Sequence, residues 1–274
     1  MRNKIFIAIF SMSCLTGCGQ QAEKKDSVET KNITIENKMK IEIWSDIMCP
    51  FCYIGKRNFE TALSQFANKE QIEVEWKSFQ LDPTIPEVPK YQDNMYMFVA
   101  DRKGFSFEQS KKIHQGLIQY AKSVGLEYNF DKALVTNSLK GHRLIQFAKT
   151  IGLGEKVKES LFYAYFTQGK NLSNVATLIE LGKEIGLTET EVNEALTNSL
   201  YVQKVESDSK EAQNLGARGV PFFVINRKYA IEGAQQPNEV LKMLEKAFSE
   251  WQKENPIVLK IQDGQVCEPN GDCK

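Results

Sequence analysis

Along this chain apolar and polar residues first alternate, then fall into helical spacing, then alternate again. Residues 39–44 carry apolar side chains at Ile41, Ile43 and Trp44 and read as a first strand. Phe59, Leu63 and Phe66 then recur on one helical face. Pro50 stands where that helix begins, a place where its missing N–H costs nothing and its fixed φ suits the first turn. Gln71 to Leu81 supplies a second strand, in which Ile72, Val74 and Trp76 alternate with Glu73, Glu75 and Lys77; the prolines from Pro83 to Pro89 end it.

Tyr91 to Gly216 is different in character, because helical spacing recurs there with repeated glycine stops. Ser106 with Gln109 forms a capping box ahead of Ile113, Leu117, Ala121 and Val124, and Gly125 closes that helix. Leu144, Ile145, Ala148 and Ile151 make the next stripe, stopped by Gly152. Val157, Leu161, Phe162 and Tyr165 follow, then Val175, Leu178, Ile179 and Ile185, and Thr188 with Glu191 opens one more helix. Such stripes are ordinarily the core of a helical bundle, and no site is read from them. Strand character returns at Val220–Asn226, a turn at Arg227-Lys228 leads into Tyr229–Gly233, and the two strands make a hairpin. Pro237 opens a last helix with Val240, Leu241, Leu244, Phe248 and Trp251 inward. The order predicts an α/β layer interrupted by a large all-helical insertion.

The two ends add to this picture. Residues 1–17 begin with Arg2 and Lys4, continue through an apolar run and end at Leu15-Thr16-Gly17-Cys18, which reads as an export signal. Residues 18–38 are too polar to fold alone and read as a flexible tether. The remaining parts are 39–90 with 217–252 as the α/β domain, 91–216 as the insertion, and 253–274 as a tail. The formal charge is zero, and loss of a leader bearing Arg2 and Lys4 leaves it slightly acidic, which argues against a nucleic-acid partner.

Six cysteines fall in three clusters: Cys14 and Cys18, Cys49 and Cys52, Cys267 and Cys273. Cys49-Pro50-Phe51-Cys52 lies between the first strand and its helix. This spacing puts the first sulfur at a helix N-terminus, where unpaired N–H groups and the macrodipole favour a thiolate, so the motif points to redox chemistry. The competing reading is half of a zinc site. A zinc cage needs four ligands, and neither a second Cys-x-x-Cys nor a nearby histidine pair exists.

Cys49-Pro50-Phe51-Cys52, the helical insertion and Gly219-Val220-Pro221-Phe222-Phe223 together resemble the DsbA-like thioredoxin-fold oxidoreductases. Ser45 through Lys56, Gly141-His142-Arg143-Leu144, and Gly219 through Gln235 are similar to the FrnE-like branch, and the resemblance covers about residues 39–273. It implies a thioredoxin-like fold in which Cys49 is an exposed nucleophile, Cys52 a buried resolving thiol and Pro221 a cis-proline that holds substrate together with Val220. A proline opening a strand removes a ladder donor and, if cis, leaves nearby backbone groups free for an extended substrate. Phe51 stands in place of the family's histidine and cannot stabilise a thiolate, so a strongly oxidising potential is not carried over. Leu15-Thr16-Gly17-Cys18 resembles the lipobox of bacterial lipoproteins, which implies lipidation of Cys18 and an extracytoplasmic protein held on the membrane.

Pro269 and Asn270-Gly271 favour a turn between Cys267 and Cys273. Three readings of this pair stand open: a structural clasp, a second redox pair exchanging with Cys49 and Cys52, and a four-thiolate metal site. The chain has two histidines. His142 is assigned packing or hydrogen bonding inside the insertion, and His114 no role. The leading expectation is a protein thiol–disulfide oxidoreductase without cofactor or resident metal. Its partners would be cysteine-containing exported proteins and an unidentified redox partner. Two alternatives are glutathione-dependent chemistry of the related 2-hydroxychromene-2-carboxylate isomerases and kappa-class transferases, which usually replace the first cysteine by serine, and a lipoprotein binding metal or a partner through its thiols.

Overall fold

A computed structural model describes residues 37–86 and 88–256. The leader, most of the tether, most of the tail, and with them Cys14, Cys18, Cys267 and Cys273 lie outside the described residues. All described residues fall in one compact unit. None of their helices is long and apolar enough to cross a membrane.

Strand β1 (Met39–Ser45) is followed by α1 (Pro50–Gln65) and β2 (Ile72–Ser78), and β1 pairs with β2 in parallel with Ile43 opposite Trp76. A helix crossover between them is what parallel pairing requires. Seven helices then intervene: α2 (Met95–Lys103), α3 (Phe107–Ser123), α4 (Leu139–Thr150), α5 (Gly154–Tyr163), α6 (Val175–Glu184), α7 (Glu189–Thr197) and α8 (Ser199–Asn214). Strand β3 (Phe222–Ile225) returns antiparallel along the other side of β1, β4 (Tyr229–Glu232) pairs with β3, and α9 (Pro237–Glu254) closes the fold. The sheet order is β2-β1-β3-β4. This is a thioredoxin-like α/β layer with an all-helical insertion.

Alternation along β1 decides which parts meet. Ile41 and Ile43 join Phe59, Ala62 and Phe66 of α1 and Val240, Leu244 and Phe248 of α9 in one core, whereas Trp44 packs with Phe222, Val224 and Ala212 of α8. The insertion has its own core. Cys49, Cys52, Tyr53 and Ile54 at the start of α1 belong to that core rather than to the sheet's, so the motif sits where the two parts touch.

Both predicted capping boxes are present, Ser106 with Gln109 and Thr188 with Glu191. Several local details differ from the periodicity. The hairpin turns one residue earlier than expected, with Asn226 and Arg227 both left-handed at φ 50° and 54° and Lys228 N bonded to Ile225 O at 3.0 Å. Two positive φ values make the mirror-image turn that matches strand twist, and Arg227 gains an ion pair with the buried Glu42. The Val157–Tyr165 stripe is not one α-helix, because α5 passes into a π turn at Ala164–Gln168. Ile113, Ile151 and Val175 are exposed. The last two lie at helix ends, where period no longer fixes a face, and α3 buries Ser110, His114 and Ala121 instead of Ile113.

Candidate active site

Cys49 is the N-cap of α1, with Pro50 in its first turn. Its amide N donates to Asp46 O and its carbonyl accepts from Cys52 N, both at 3.0 Å, so the backbone is held on either side of the sulfur. The Sγ of Cys49 donates to Val220 O at 3.4 Å. The Val220–Pro221 bond is cis, as the resemblance implied. Gly55, one turn further along α1, allows this approach: a Cβ there would stand 2.8 Å from Pro221 Cγ.

The structure thus brings together Cys49, Pro50, Phe51, Cys52, Val220 and Pro221. Both thiols are free, and Cys52 is fully buried. Burial pushes the Cys52 thiol well up, and Cys49 beside it adds to the effect. One expectation is corrected. Cys49 is only 4% exposed, because its sulfur turns inward to Val220 O, and Phe51 at 44% is the residue that faces solvent.

Four residues that sequence reasoning left without a site role shape the surroundings. Asp46, buried, accepts from Met48 N at 3.1 Å and from Leu81 N at 2.7 Å, and its Oδ1 lies 3.2 Å from His142 Nε2. The partner of His142 is therefore outside the insertion, correcting its expected place within it. Tyr128 of the insertion stacks on Tyr53 and Phe166 and donates to Pro50 O at 2.7 Å. Burial first, and then the neighbouring Cys49 and Cys52, raise its phenol far above the ordinary value, so it remains a donor. Asn58 of α1 donates to Gln235 O at 2.8 Å and Tyr120 of α3 to Ala234 O at 3.0 Å, fixing the loop that follows Pro221's strand pair. The quoted similarity around Gly141-His142 was the available signal for His142; nothing in local periodicity marks Tyr128 or Asn58.

Among the described residues no group of three or more His, Cys, Asp or Glu is placed to hold a metal. Two neighbouring buried thiols, one of them beside the Val220 carbonyl just ahead of β3, suit thiol–disulfide exchange.

The family model described as the DSBA-like thioredoxin domain matches residues 40–245. The chain belongs to this family. Its match runs from β1 into α9, so it spans the insertion and both halves of the sheet. A probable DsbA oxidoreductase from Streptomyces coelicolor, SCO1869, is 33% identical with a TM-score of 0.74, over 86% of this chain and 98% of that one. The uncharacterized protein YwbO of Bacillus subtilis strain 168 is 27% identical over 219 residues, 78% of this chain and 97% of its own. The cytosolic disulfide reductase DsbM from Pseudomonas aeruginosa shares the fold at 16% identity and a TM-score of 0.55, over 77% of this chain and 99% of that one. This DSBA-like protein is a thiol–disulfide oxidoreductase.

Proposed function

We propose that the protein exchanges disulfides of cysteine-containing exported proteins through Cys49 and Cys52, as a FrnE-like member of its family. The observation that carries this is the placement of Cys49 Sγ 3.4 Å from the Val220 carbonyl, beside cis-Pro221. In the reducing direction the Cys49 thiolate attacks one sulfur of a substrate disulfide, forming a mixed disulfide and expelling the other sulfur as a thiolate. Cys52 then attacks Cys49 Sγ, the Cys49–Cys52 bond forms, and the second substrate sulfur leaves with the electron pair of the broken bond. The oxidising direction is the reverse. Val220 O, released from the Cys49 thiol, accepts from a substrate backbone N–H, and Phe51 offers an apolar contact.

The setting belongs to the same proposal: an extracytoplasmic protein anchored through lipidated Cys18, with 18–38 as tether and Cys267/Cys273 able to relay electrons to Cys49 and Cys52. Its support is the order of charged, apolar and Leu-Thr-Gly-Cys segments at the N-terminus and the turn-forming sequence between the last two cysteines.

The test uses a peptide disulfide. Cys49→Ser is expected to abolish exchange and Cys52→Ser to accumulate a mixed disulfide at Cys49; full activity in Cys49→Ser overturns the assignment. Membrane fractionation of Cys18→Ala tests the anchor, and an unchanged membrane-bound fraction removes it.

A further inference from the structure

The Val220 carbonyl stands one residue beyond the last rung of the β3–β4 ladder. That pairing runs from Ile225 opposite Tyr229 to Phe222 opposite Glu232, and one more bond, Gly233 N to Pro221 O at 2.8 Å, extends it. Val220 lies just outside this bond, with its own carbonyl 3.4 Å from Cys49 Sγ. The position of the receiving carbonyl therefore depends on how firmly the chain after β4 is held against Pro221. Gly233, at φ 76°, turns that chain sharply, and Gln235 N closes the turn on Gly233 O at 2.9 Å.

Two side chains from outside the sheet take the carbonyls of this turn. Asn58 Nδ2 donates to Gln235 O at 2.8 Å, and the Tyr120 phenol donates to Ala234 O at 3.0 Å. The same phenol oxygen accepts from Asn58 Nδ2 at 3.2 Å and from Gln236 Nε2 at 3.0 Å. A phenol both donates and accepts, and here each of its bonds goes to this turn or to the asparagine that holds it. Gly55, one turn ahead of Asn58 on α1, leaves room for the packing: a Cβ there would stand 2.8 Å from Pro221 Cγ and 3.5 Å from Ala234 Cα. Asn58 belongs to the helix that begins at the cysteine motif, whereas Tyr120 comes from α3 of the insertion. A phenylalanine would fill the same volume, so the hydroxyl is what joins the insertion to the turn.

We propose that Tyr120 is a positioning residue for substrate capture: its hydroxyl fastens the turn after β4 and, through Gly233 and Pro221, keeps the Val220 carbonyl aligned to accept from the backbone N–H of an extended substrate. Neither thiol is among its hydrogen-bond partners, so bond making and breaking at Cys49 and Cys52 proceed as already described. An extended chain that adds to the end of a strand gains affinity from main-chain hydrogen bonds, and it gains most when the receiving carbonyl is fixed before the substrate arrives. The substrate class follows. Disulfides carried on extended polypeptide depend on Tyr120, and small disulfides without a peptide backbone do not.

The inference rests on disulfide exchange at Cys49 and Cys52, and its test separates the two. The full chain is assayed with two substrates, a disulfide joining two unstructured peptides and the disulfide of mercaptoethanol, which has no peptide N–H to offer. In Tyr120→Phe, which keeps the ring and removes the hydroxyl, kcat/KM for the peptide disulfide is expected to fall at least about fivefold, while the value for the small disulfide changes less than about twofold. Amide hydrogen exchange of Gly233 should quicken in the same variant, with the β1 amides unaltered. Equal losses with both disulfides would make Tyr120 a merely structural residue and overturn the inference, as would an unchanged peptide rate or an unchanged Gly233 amide. A wild type that exchanges neither disulfide overturns the exchange reading instead. Should Tyr120→Phe fail to fold, Asn58→Ala removes the other donor to the turn and is expected to give the same split between the two substrates; equal losses there refute the clamp.

Discussion

The link between Asp46 and His142 gives the most direct test of how the insertion supports the site. Asp46 serves two backbone N–H groups and faces the His142 ring, and both side chains are buried. Hydrogen bonds to a charged group contribute about 1.5–3 kcal/mol each, and removing one member of a buried set leaves the others unsatisfied. Asp46→Ala is therefore expected to cost about 3–5 kcal/mol, a large share of a typical domain's stability. His142→Leu takes away one partner while both backbone donors keep theirs, and is expected to cost about 1–2 kcal/mol. In a double-mutant cycle the two should couple by about 1–2 kcal/mol, because His142 loses its purpose once Asp46 is gone. The assay is equilibrium urea unfolding read as a midpoint shift at constant slope, with Cys49 alkylation measured on the same samples. Asp46 O accepts from Cys49 N at 3.0 Å, so a loosened Asp46 turn should also change the thiol's reactivity. A coupling under about 0.5 kcal/mol with unaltered alkylation would refute the idea that this contact ties the insertion to the site.

Two further outcomes follow from the surroundings. Tyr128→Phe removes the donor to Pro50 O and is expected to cost about 1 kcal/mol in urea unfolding; an effect within error would mean that water replaces the phenol. Glu159 is pushed up by burial but held down more strongly by Arg57, Tyr53 and Lys56, to about 2 against an ordinary 4.5. With the folded value below the unfolded one, its stabilisation is complete above about pH 4.5 and is lost as pH falls through about 2. In Glu159→Gln that part of the acid-induced loss should be missing, and parallel urea midpoints of variant and wild type across this window would argue against it.

Much of the architecture was legible because it rests on local rules. The alternation in Ile72–Lys77, the two capping boxes and Pro50 at a helix start each declare an element through nearest neighbours, and each is found in place. Helices α2 and α8 were not individually marked, since α2 is short and α8 buries only Tyr201, Val205 and Ala212. The site was half legible. Cys49 and Cys52 announce themselves by spacing, but no periodicity tells that Val220 O will stand beside Cys49 or that His142 will face Asp46, because these contacts join segments far apart in sequence. In α5, Lys158 shares the buried stripe with Val157, Leu161 and Phe162, at a position where periodicity calls for an apolar residue.

The sheet order has a consequence for the growing chain. β1 lies between β2, made just after it, and β3, made only when all seven inserted helices have been synthesised. A nascent chain that ends ahead of Val220 already carries both thiols of the motif but lacks the carbonyl that receives Cys49 and the strand β3 that follows it. Synthesis therefore delivers the two thiols first and the segment proposed to hold substrate last, and a chain truncated between them would hold the first without the second.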